Sequence, residues 1–314
     1  AARAIGASKG MIYLRGEYRK AIDRIQRALA AARTHGYLGT HILGRDFSLE
    51  IDLKLGAGSY LCGEELTLLD SLEGKRGYPR IKPPFPAEAG LFGQPTLVNN
   101  VETLAHLPAI ITNGPDWYRS LGTDTAAGTK IFTLSGDVNR PGAVEVEMGT
   151  SLRTLVEDFG GGVRGGEGFK AALLGGAAGT FVPAADLDVA MDFDALKARG
   201  AVLGSGAVIV VGSGRAVAEI LVSILRFFQH ESCGKCVPCR VGTTHLVNLM
   251  TDLGHTTARR AQNLDALLDQ ARRMAALSLC PLGQSPILAI ESALRHFRPE
   301  LETPPPASTQ GAVS

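Results

Sequence analysis

Four of the five cysteines in this 314-residue sequence have a spacing that suits the ligation of an iron-sulfur cluster. Cys233, Cys236 and Cys239 form a C-x2-C-x2-C run within HESCGKCVPCRVGT, and Cys280 follows at a distance with a proline next to it. Two-residue spacers let three thiolates bind one corner of a compact cluster, and a Cys-Pro pair is part of ferredoxin-type patterns. The spacing therefore predicts a [4Fe-4S] cluster held by these four residues.

Zinc, or no metal at all, is the alternative interpretation of this run. Zinc takes four tetrahedral ligands and is usually bound by two C-x2-C pairs rather than by three cysteines in succession. Lys235 and Arg240 flank the thiolates, where they either raise the reduction potential of a cluster or lie in solvent as ordinary cations. Cys62 stands alone in LCGEE, and we interpret it as a small buried residue.

Composition and charge narrow the class of protein. Hydrophobic residues make up 45% of the chain, and 32 Lys and Arg residues balance 31 Asp and Glu residues. Without a basic excess, the sequence predicts no nucleic-acid partner. We find no apolar run of about 18 residues and no secretory leader, so we expect no direct membrane span and a cytoplasmic location. An odd number of clustered cysteines also fits ligation in a reducing compartment.

The segments before the cysteines read as an α/β region. MIYLRGEY at 11–18 is strand-like, a helical pattern follows it, and FSLEIDLKL at 47–55 alternates apolar residues as a strand with one buried face does. Together they predict a β-α-β unit. A glycine turn then leads into a helix ending near Gly74, and ligands of open α/β sheets bind at such turns. A long proline-rich loop at 78–100 and a helix ending at Gly114 follow.

The remaining sequence contains two further regions with different patterns of predicted secondary structure. Strand-like segments and a short helix capped by Ser151 predict a small α+β domain after residue 127. Helical periodicity beyond residue 215 predicts a bundle of about four helices, the last of which begins at Ser285-Pro286. TPPPASTQGAVS, at the end of the chain, is typical of a disordered tail.

One glycine-rich turn imitates a dinucleotide-binding motif. Gly212 and Gly214 follow a strand-like run and precede a helix, but Val217 replaces the third small residue of the fingerprint. The helix continues to the cysteine run, whereas a βαβ unit needs a second parallel strand. We therefore interpret the turn as a simple strand-to-helix connection.

Four motifs in order carry a resemblance to a known family. GAGSYLCGEE, EGKRGYPRIKPPFPAEAGLFG, PTLVNNVET and HESCGKCVPCRVGT are followed by a lone Cys-Pro and by RHFRPELE. The sequence resembles the 51-kDa-type flavoprotein subunit that oxidises NADH in respiratory complex I, together with its relatives in NAD-linked formate dehydrogenases and soluble hydrogenases. The resemblance covers nearly all of residues 1–302.

The resemblance implies a layout of domains and a set of cofactors. It implies the C-terminal portion of an α/β FMN- and NADH-binding domain at 1–126, a β-grasp domain of the soluble-ligand-binding type at 127–203, and an all-α bundle with the [4Fe-4S] site at 204–302, followed by the tail at 303–314. The implied cofactors are FMN, NAD(H) and the cluster. By motif position, FMN would be lined by Tyr60, Gly63, Glu64, Glu65, Val98, Asn99, Asn100 and Thr103, and the dinucleotide would meet Lys82, Phe85 and Glu65.

The chemistry of these side chains agrees with the implied roles. Phe85 can stack on a purine or nicotinamide ring, Lys82 adds a charge near phosphate or ribose, and asparagines donate to and accept from a flavin edge. Glu64 and Glu65 can accept ribose or ribityl hydroxyls. Alternatively, these two carboxylates only favour the N-terminus of the helix that they begin.

The resemblance also implies partners. The family has an upstream glycine-rich segment that cradles the FMN phosphate, so we expect a longer protein or a second chain to supply it. Electrons would pass between NAD(H), FMN and the cluster to a thioredoxin-like [2Fe-2S] subunit and a larger iron-sulfur subunit, at the membrane periphery if the assembly is complex I. The alternative function is a non-catalytic scaffold fragment that docks a partner subunit, with a structural cluster or zinc.

Overall fold

The computed structural model describes residues 1–304, so the predicted tail at 303–314 lies outside it except for its first two residues. The described chain has a mixed α/β fold with additional helices, as the sequence predicts. It divides into two compact units, Ala1–His106 and the residues from Leu107 onward. The domain boundaries at 126 and 203 stay predictions. No helix among residues 1–304 is long and apolar enough to cross a membrane.

The first unit is built on the predicted β-α-β arrangement. Strands β1 (Lys9–Arg15) and β2 (Glu50–Gly56) pair in parallel, and helix α2 (Arg19–Thr34) connects them. The prediction of a buried strand face is wrong, because every residue of β2 is exposed or half-buried and Leu55 is 53% exposed. A sheet of two strands buries few side chains, so an alternating pattern does not guarantee a core here.

The other helices of this unit follow the sequence signals for helix ends. Leu61, Leu66 and Leu69 form its buried centre around α3, and Gly74 adopts a left-handed conformation just beyond that helix. The proline-rich loop contains two helical turns that the sequence did not indicate. The bounds are α1 Ala2–Ile5, α3 Glu65–Leu72, α4 Pro86–Ala89 and α5 Val101–Asn113, with tight helical turns at Ile42–Gly44, Tyr60–Gly63 and Leu91–Gly93; α5 continues past residue 106 into the second unit.

A five-stranded sheet in the order β4-β3-β7-β5-β6 forms the first half of the second unit. Its core includes Phe132, Leu134, Leu152, Leu174 and Val208, all nearly inaccessible to solvent. Ser151 caps the short helix as predicted, because its hydroxyl accepts a 3.0 Å hydrogen bond from the backbone nitrogen of Thr154. The bounds are α6 Pro115–Arg119, β3 Thr129–Gly136, β4 Gly142–Glu147, α7 Leu152–Thr154 with a wider helical turn at Leu155–Phe159, β5 Phe169–Leu174, β6 Thr180–Pro183, α8 Phe193–Ala198 and β7 Ala207–Gly212; tight helical turns lie at Arg164–Gly166 and Ala184–Asp186.

The predicted helical bundle follows β7 and packs against the sheet within the same unit. Four long helices and one short helix form it: α9 Val217–Glu231, α10 Val237–Thr251, α11 Thr257–Leu277, α12 Pro281–Gln284 and α13 Pro286–Glu302. The backbone N–H of Phe181 in β6 donates a 2.9 Å hydrogen bond to Ser292 of α13. The Glu300 carboxylate accepts a 2.8 Å bond from the N–H of Val217, the first residue of α9. These contacts join α13 to the sheet and to the start of α9.

Carboxylates occupy the turn that imitates a dinucleotide-binding motif. The N–H of Gly212 donates to Asp137 Oδ2 across 3.1 Å, and the N–H of Gly214 donates to Glu167 Oε2 across 3.0 Å. In a phosphate-binding turn these backbone groups would point at the ligand. The two bonds support the interpretation of this turn as a strand-to-helix connection.

Candidate functional site

In the first unit, Glu64 and Glu65 have different roles although they are adjacent. Glu64 is the N-cap of α3, and its Oε2 accepts hydrogen bonds from the backbone nitrogen of Thr67 at 2.8 Å and from the Thr67 hydroxyl at 2.7 Å. Glu65 instead forms an ion pair with Lys82 of the proline-rich loop. The helix-start alternative for this pair therefore describes Glu64, while Glu65 has a partner from a distant segment.

The Glu65 ion pair joins two of the motifs that the sequence singles out. Lys82 lies with its Nζ 6.0 Å from the centre of the Phe85 ring, within the range of a cation-π contact. Both charged side chains are a little over one third exposed, and Phe85 is 51% exposed. An exposed aromatic ring beside a cation is a surface on which a planar, negatively charged ligand can stack, so Phe85 is not a core residue.

In the third motif, the predicted site residue Asn100 caps a helix. The side-chain oxygen of Asn100 accepts hydrogen bonds from the backbone nitrogens of Glu102 at 2.8 Å and Thr103 at 3.3 Å, at the start of α5. Asn99 and Thr103 are exposed, and Val98 is half-buried. Both bonds of Asn100 stay within its own segment, so they stabilise the start of the helix and do not tie this motif to the other two.

Tyr60 and Gly63 lie on the tight turn between β2 and α3. Tyr60 is 40% exposed. A Cβ atom added to Gly63 would meet nothing within 4 Å, and the backbone there is not left-handed. The fold itself therefore does not require glycine at position 63, whereas the close approach of a ligand to the backbone would.

A network of ion pairs that was not predicted from the sequence holds the proline-rich loop. Arg80 forms ion pairs with Asp70 at 2.7 Å and with Glu73 at 2.8 Å, and Glu73 also accepts a 2.8 Å hydrogen bond from the Phe92 N–H. Burial raises the pKa of Glu73, but the hydrogen bonds from Lys75, Arg80 and Phe92 outweigh this effect and lower the pKa to about 2. The run of charges in EGKRGYPR was the available signal.

A cleft of about 500 Å³ lies beside this network. None of the predicted cofactor residues lines it, although Lys82 and Phe85 belong to the same loop. Its two cations are already paired with carboxylates, Lys75 with Glu73 and Arg80 with both Glu73 and Asp70, so we assign no ligand to it. The lining residues are Glu73, Lys75, Arg80, Ile81, Pro84, Ala89, Gly90, Phe92 and Gly93.

In the second unit, the fold brings Cys280 to the three clustered cysteines. Cys236 is the N-cap of α10, Cys239 lies in its first turn, and Cys280 is the N-cap of α12. Cys239 and Cys280 are about 95% buried, and Cys233 and Cys236 are half-buried. Helix N-termini favour thiolates because their free N–H groups and dipoles stabilise negative charge.

The neighbouring cysteines contribute to the raised pKa values of the two buried thiols. Burial and, to a smaller extent, the charges of Cys236, Cys280 and Cys233 together raise the pKa of Cys239 to about 11, although the hydrogen bond with the Ser232 hydroxyl lowers it. Burial also raises the pKa of Cys280, while the backbone N–H groups of its own helix turn lower it. Four thiolates so grouped repel one another, and a positively charged group bound between them would relieve this repulsion.

The residues around the thiols form a closely packed cradle. Gly234 has a left-handed backbone, and its carbonyl oxygen accepts a 2.7 Å hydrogen bond from Arg240. Ser232 lies with its hydroxyl 3.3 Å from the sulfur of Cys239. Ser232 was not predicted from the sequence, where its position beside Cys233 was the one available signal. No group of three His, Cys, Asp or Glu side chains within residues 1–304 is arranged to hold a single metal ion.

Cys62 has no part in this group. It is buried in the first unit, where it belongs to the small core around α3. Burial raises the pKa of the nearby Tyr13, and Cys62 adds to that rise. The interpretation of Cys62 as a small buried residue is confirmed.

Comparison with known proteins decides the family. Sequence models match the Nuo51 FMN-binding domain at residues 1–109, the SLBB domain at 131–176, and the iron-sulfur binding region of NADH-ubiquinone oxidoreductase-F at 219–304. The second NADH-quinone oxidoreductase F subunit of Rhizobium meliloti (strain 1021) is 44% identical over 301 residues, which are 95% of this chain and 71% of the relative. The chain belongs to the family of NADH-quinone oxidoreductase F subunits.

Hydrogenase subunits are also relatives of this member of the F-type family. The NADP-reducing hydrogenase subunit HndC of Solidesulfovibrio fructosivorans is 44% identical over 299 residues, and the match covers 95% of this chain and 61% of the relative. A crystal structure of an NAD+-reducing [NiFe]-hydrogenase in the H2-reduced state has a TM-score of 0.83 and 37% identity, and the match covers 96% of this chain and 50% of the hydrogenase chain. The predicted resemblance to 51-kDa-type flavoprotein subunits and their hydrogenase relatives is confirmed.

Proposed function

We propose that this chain is the NADH-oxidising or NAD-reducing flavoprotein subunit of a multisubunit oxidoreductase of the complex I, hydrogenase or formate dehydrogenase type. When bound, FMN exchanges hydride with NAD(H) and exchanges single electrons with a [4Fe-4S] cluster. The observation that carries the proposal is the grouping of Cys233, Cys236, Cys239 and Cys280 in a matched iron-sulfur region.

The four cysteines fit a cluster as its ligands. Thiolates are the ligands of iron-sulfur clusters, and three of these four residues lie at helix N-termini that stabilise them. Cys239 and Cys280 are buried and Cys233 and Cys236 are half-buried, so a bound cluster would be largely shielded from water. Because the four residues lie in the matched iron-sulfur binding region, we assign them to the cluster rather than to zinc.

Residues of the first unit would bind and orient the dinucleotide and the flavin. Lys82 would hold a phosphate or ribose group, Phe85 would stack on a ring, and Glu65 would keep the Lys82 side chain in place while accepting ribose hydroxyls. The remaining residues would line FMN through hydrogen bonds and close backbone approach: Tyr60, Gly63, Glu64, Val98, Asn99, Asn100 and Thr103. No side chain is required to act as a nucleophile.

The proposed layout assigns one task to each part of the chain. An FMN- and NAD(H)-binding α/β part is followed by a β-grasp part and by the cluster-bearing bundle, a layout that the three matched family models support. Electrons would leave to a thioredoxin-like [2Fe-2S] subunit and a larger iron-sulfur subunit of a cytoplasmic or membrane-peripheral assembly. Family membership favours this function over the scaffold alternative.

The test separates the flavin half from the cluster half in the assembled enzyme. NADH added under anaerobic conditions should bleach the flavin absorbance in the wild type and in Cys233→Ser alike. Reduction of an acceptor that takes electrons from the iron-sulfur partner should be lost in Cys233→Ser only. An enzyme whose flavin does not respond to NADH, or a Cys233→Ser variant with full acceptor reduction, would contradict the proposal.

A further inference from the structure

The hydroxyl of Ser278 is a buried polar group without a hydrogen-bond partner in the described chain. Ser278 is 6% exposed, and its Oγ neither donates nor accepts a hydrogen bond. Its backbone is satisfied, because its N–H donates to Met274 at 3.0 Å and its carbonyl accepts from Gln284 at 2.9 Å. Buried hydroxyls are nearly always bonded, so an orphaned one indicates a partner that the protein atoms do not supply.

This hydroxyl lies within the cysteine group. Ser278 precedes Cys280 by two residues, and Gly283 lies in the helix turn that Cys280 begins. A Cβ atom built on Gly283 would lie 2.4 Å from Ser278 Oγ and 3.0 Å from Cys239 Cβ. The serine hydroxyl and the Cys239 side chain therefore both pack against Gly283, where a larger residue would clash.

The other donors at the site already have partners within the chain. The Ser232 hydroxyl lies 3.3 Å from the Cys239 sulfur, and the backbone N–H groups of Leu282 and Gly283 bond to Cys280. Ser278 is the buried hydroxyl at this site whose acceptor is missing from the described chain. A sulfur atom belonging to the bound cluster is an acceptor of the right chemistry at this place.

We infer that the Ser278 hydroxyl donates a hydrogen bond to a sulfur of the cluster and thereby raises its reduction potential. The inference rests on the proposed function, in which the four cysteines hold a [4Fe-4S] cluster. Adding an electron makes the cluster more negative, so a donor to its sulfur stabilises the reduced form more than the oxidised form. Ser278 is thus a tuning residue: it changes no covalent bond and carries no electron.

The test is an EPR-monitored redox titration of the cluster in the full protein, with Ser278→Ala as the variant. Losing the hydrogen bond should shift the ratio of reduced to oxidised cluster about tenfold at a fixed potential, which lowers the midpoint by about 59 mV for one electron. Ser285→Ala is the matched control, because its hydroxyl donates to the Pro281 carbonyl at 2.6 Å, and it should leave the midpoint unchanged. Ser232→Ala should lower the midpoint independently.

Iron and acid-labile sulfide determined in every sample distinguish the possible failures. A wild type without iron and sulfide would overturn both this inference and the proposed function. A fully loaded Ser278→Ala protein with the wild-type midpoint would overturn the inference alone. Ser278→Gly, which also removes the hydroxyl, is the second variant if the alanine protein does not load. If neither loads while Ser285→Ala does, Ser278 acts in assembly and the tuning role is wrong.

Discussion

The carboxylate of Glu64 binds both the backbone nitrogen and the hydroxyl of Thr67, at 2.8 Å and 2.7 Å, and so caps helix α3. Glu64→Ala should lower the free energy of unfolding by about 1 kcal/mol, the usual cost of losing an N-cap. Glu65→Ala, one position later, removes a partly exposed ion pair and should cost less, since exposed pairs contribute about 0–1 kcal/mol. Urea unfolding followed by circular dichroism measures both, and equal losses would argue against the cap.

Phe85 and Phe92 provide a matched pair of exposed aromatic rings on one loop, 51% and 64% exposed. Phe85→Ala in the assembled enzyme should raise the KM for NADH about tenfold, because stacking of a base on an aromatic ring contributes about 1–3 kcal/mol. Phe92→Ala should leave the KM near its wild-type value. Steady-state kinetics at saturating acceptor decide the matter; identical KM values in Phe85→Ala and wild type would rule out the stacking role.

Glu73 should make stability depend on pH in the acid range. Its folded-state pKa is about 2 against an ordinary value of 4.5, so its charged form stabilises the fold fully above about pH 4.5. That contribution, up to about 3 kcal/mol, is lost as pH falls from 4.5 toward 2. Glu73→Gln should be less stable than the wild type at neutral pH, and its free energy of unfolding should change less with pH across this window. Denaturant titrations at several pH values measure the free energy of unfolding of both proteins. If the two values changed with pH by the same amount, the assignment would be wrong.

A substitution at Gly63 tests whether glycine is needed there for ligand binding rather than for folding. Gly63→Ala should change the free energy of unfolding by less than about 0.5 kcal/mol, because its Cβ would enter open space. It should nevertheless weaken flavin retention if the backbone approaches FMN there. Flavin released during gel filtration, compared with that of the wild type, measures the effect. Undiminished flavin in the variant would remove Gly63 from the FMN-lining set.

The elements of the fold were largely predictable from the sequence, and burial was less so. Periodicity and caps predicted the β-α-β unit, the Ser151 cap and the four long helices of the bundle. Leu55 illustrates the limit: its place in an alternating strand predicted a buried face, yet it is 53% exposed because only two strands form that sheet. The alternation of apolar and polar residues along a strand shows which face is apolar, but whether that face is buried depends on what packs against it.

Side chains at the candidate sites show a similar division. The C-x2-C-x2-C run and the Cys-Pro pair predicted Cys233, Cys236, Cys239 and Cys280 as one set of ligands, but only the fold shows how helices α10 and α12 bring Cys280 to the other three. The Glu65 to Lys82 ion pair and the orphaned Ser278 hydroxyl depend on tertiary contacts between segments, which a period or a motif does not encode. The sequence thus indicated which residue types belong to the sites, whereas their interaction partners could be identified only from the tertiary structure.

The most direct test of the cluster assignment is chemical analysis of the anaerobically purified protein for iron, acid-labile sulfide, zinc and flavin, with an EPR spectrum after dithionite reduction. We predict near-equal iron and sulfide and a reducible signal that Cys233→Ser abolishes and Cys62→Ser retains, since Cys62 lies in a separate buried core. Zinc without sulfide, or a signal that survives the loss of Cys233, would contradict the central claim that these four cysteines hold an electron-carrying cluster.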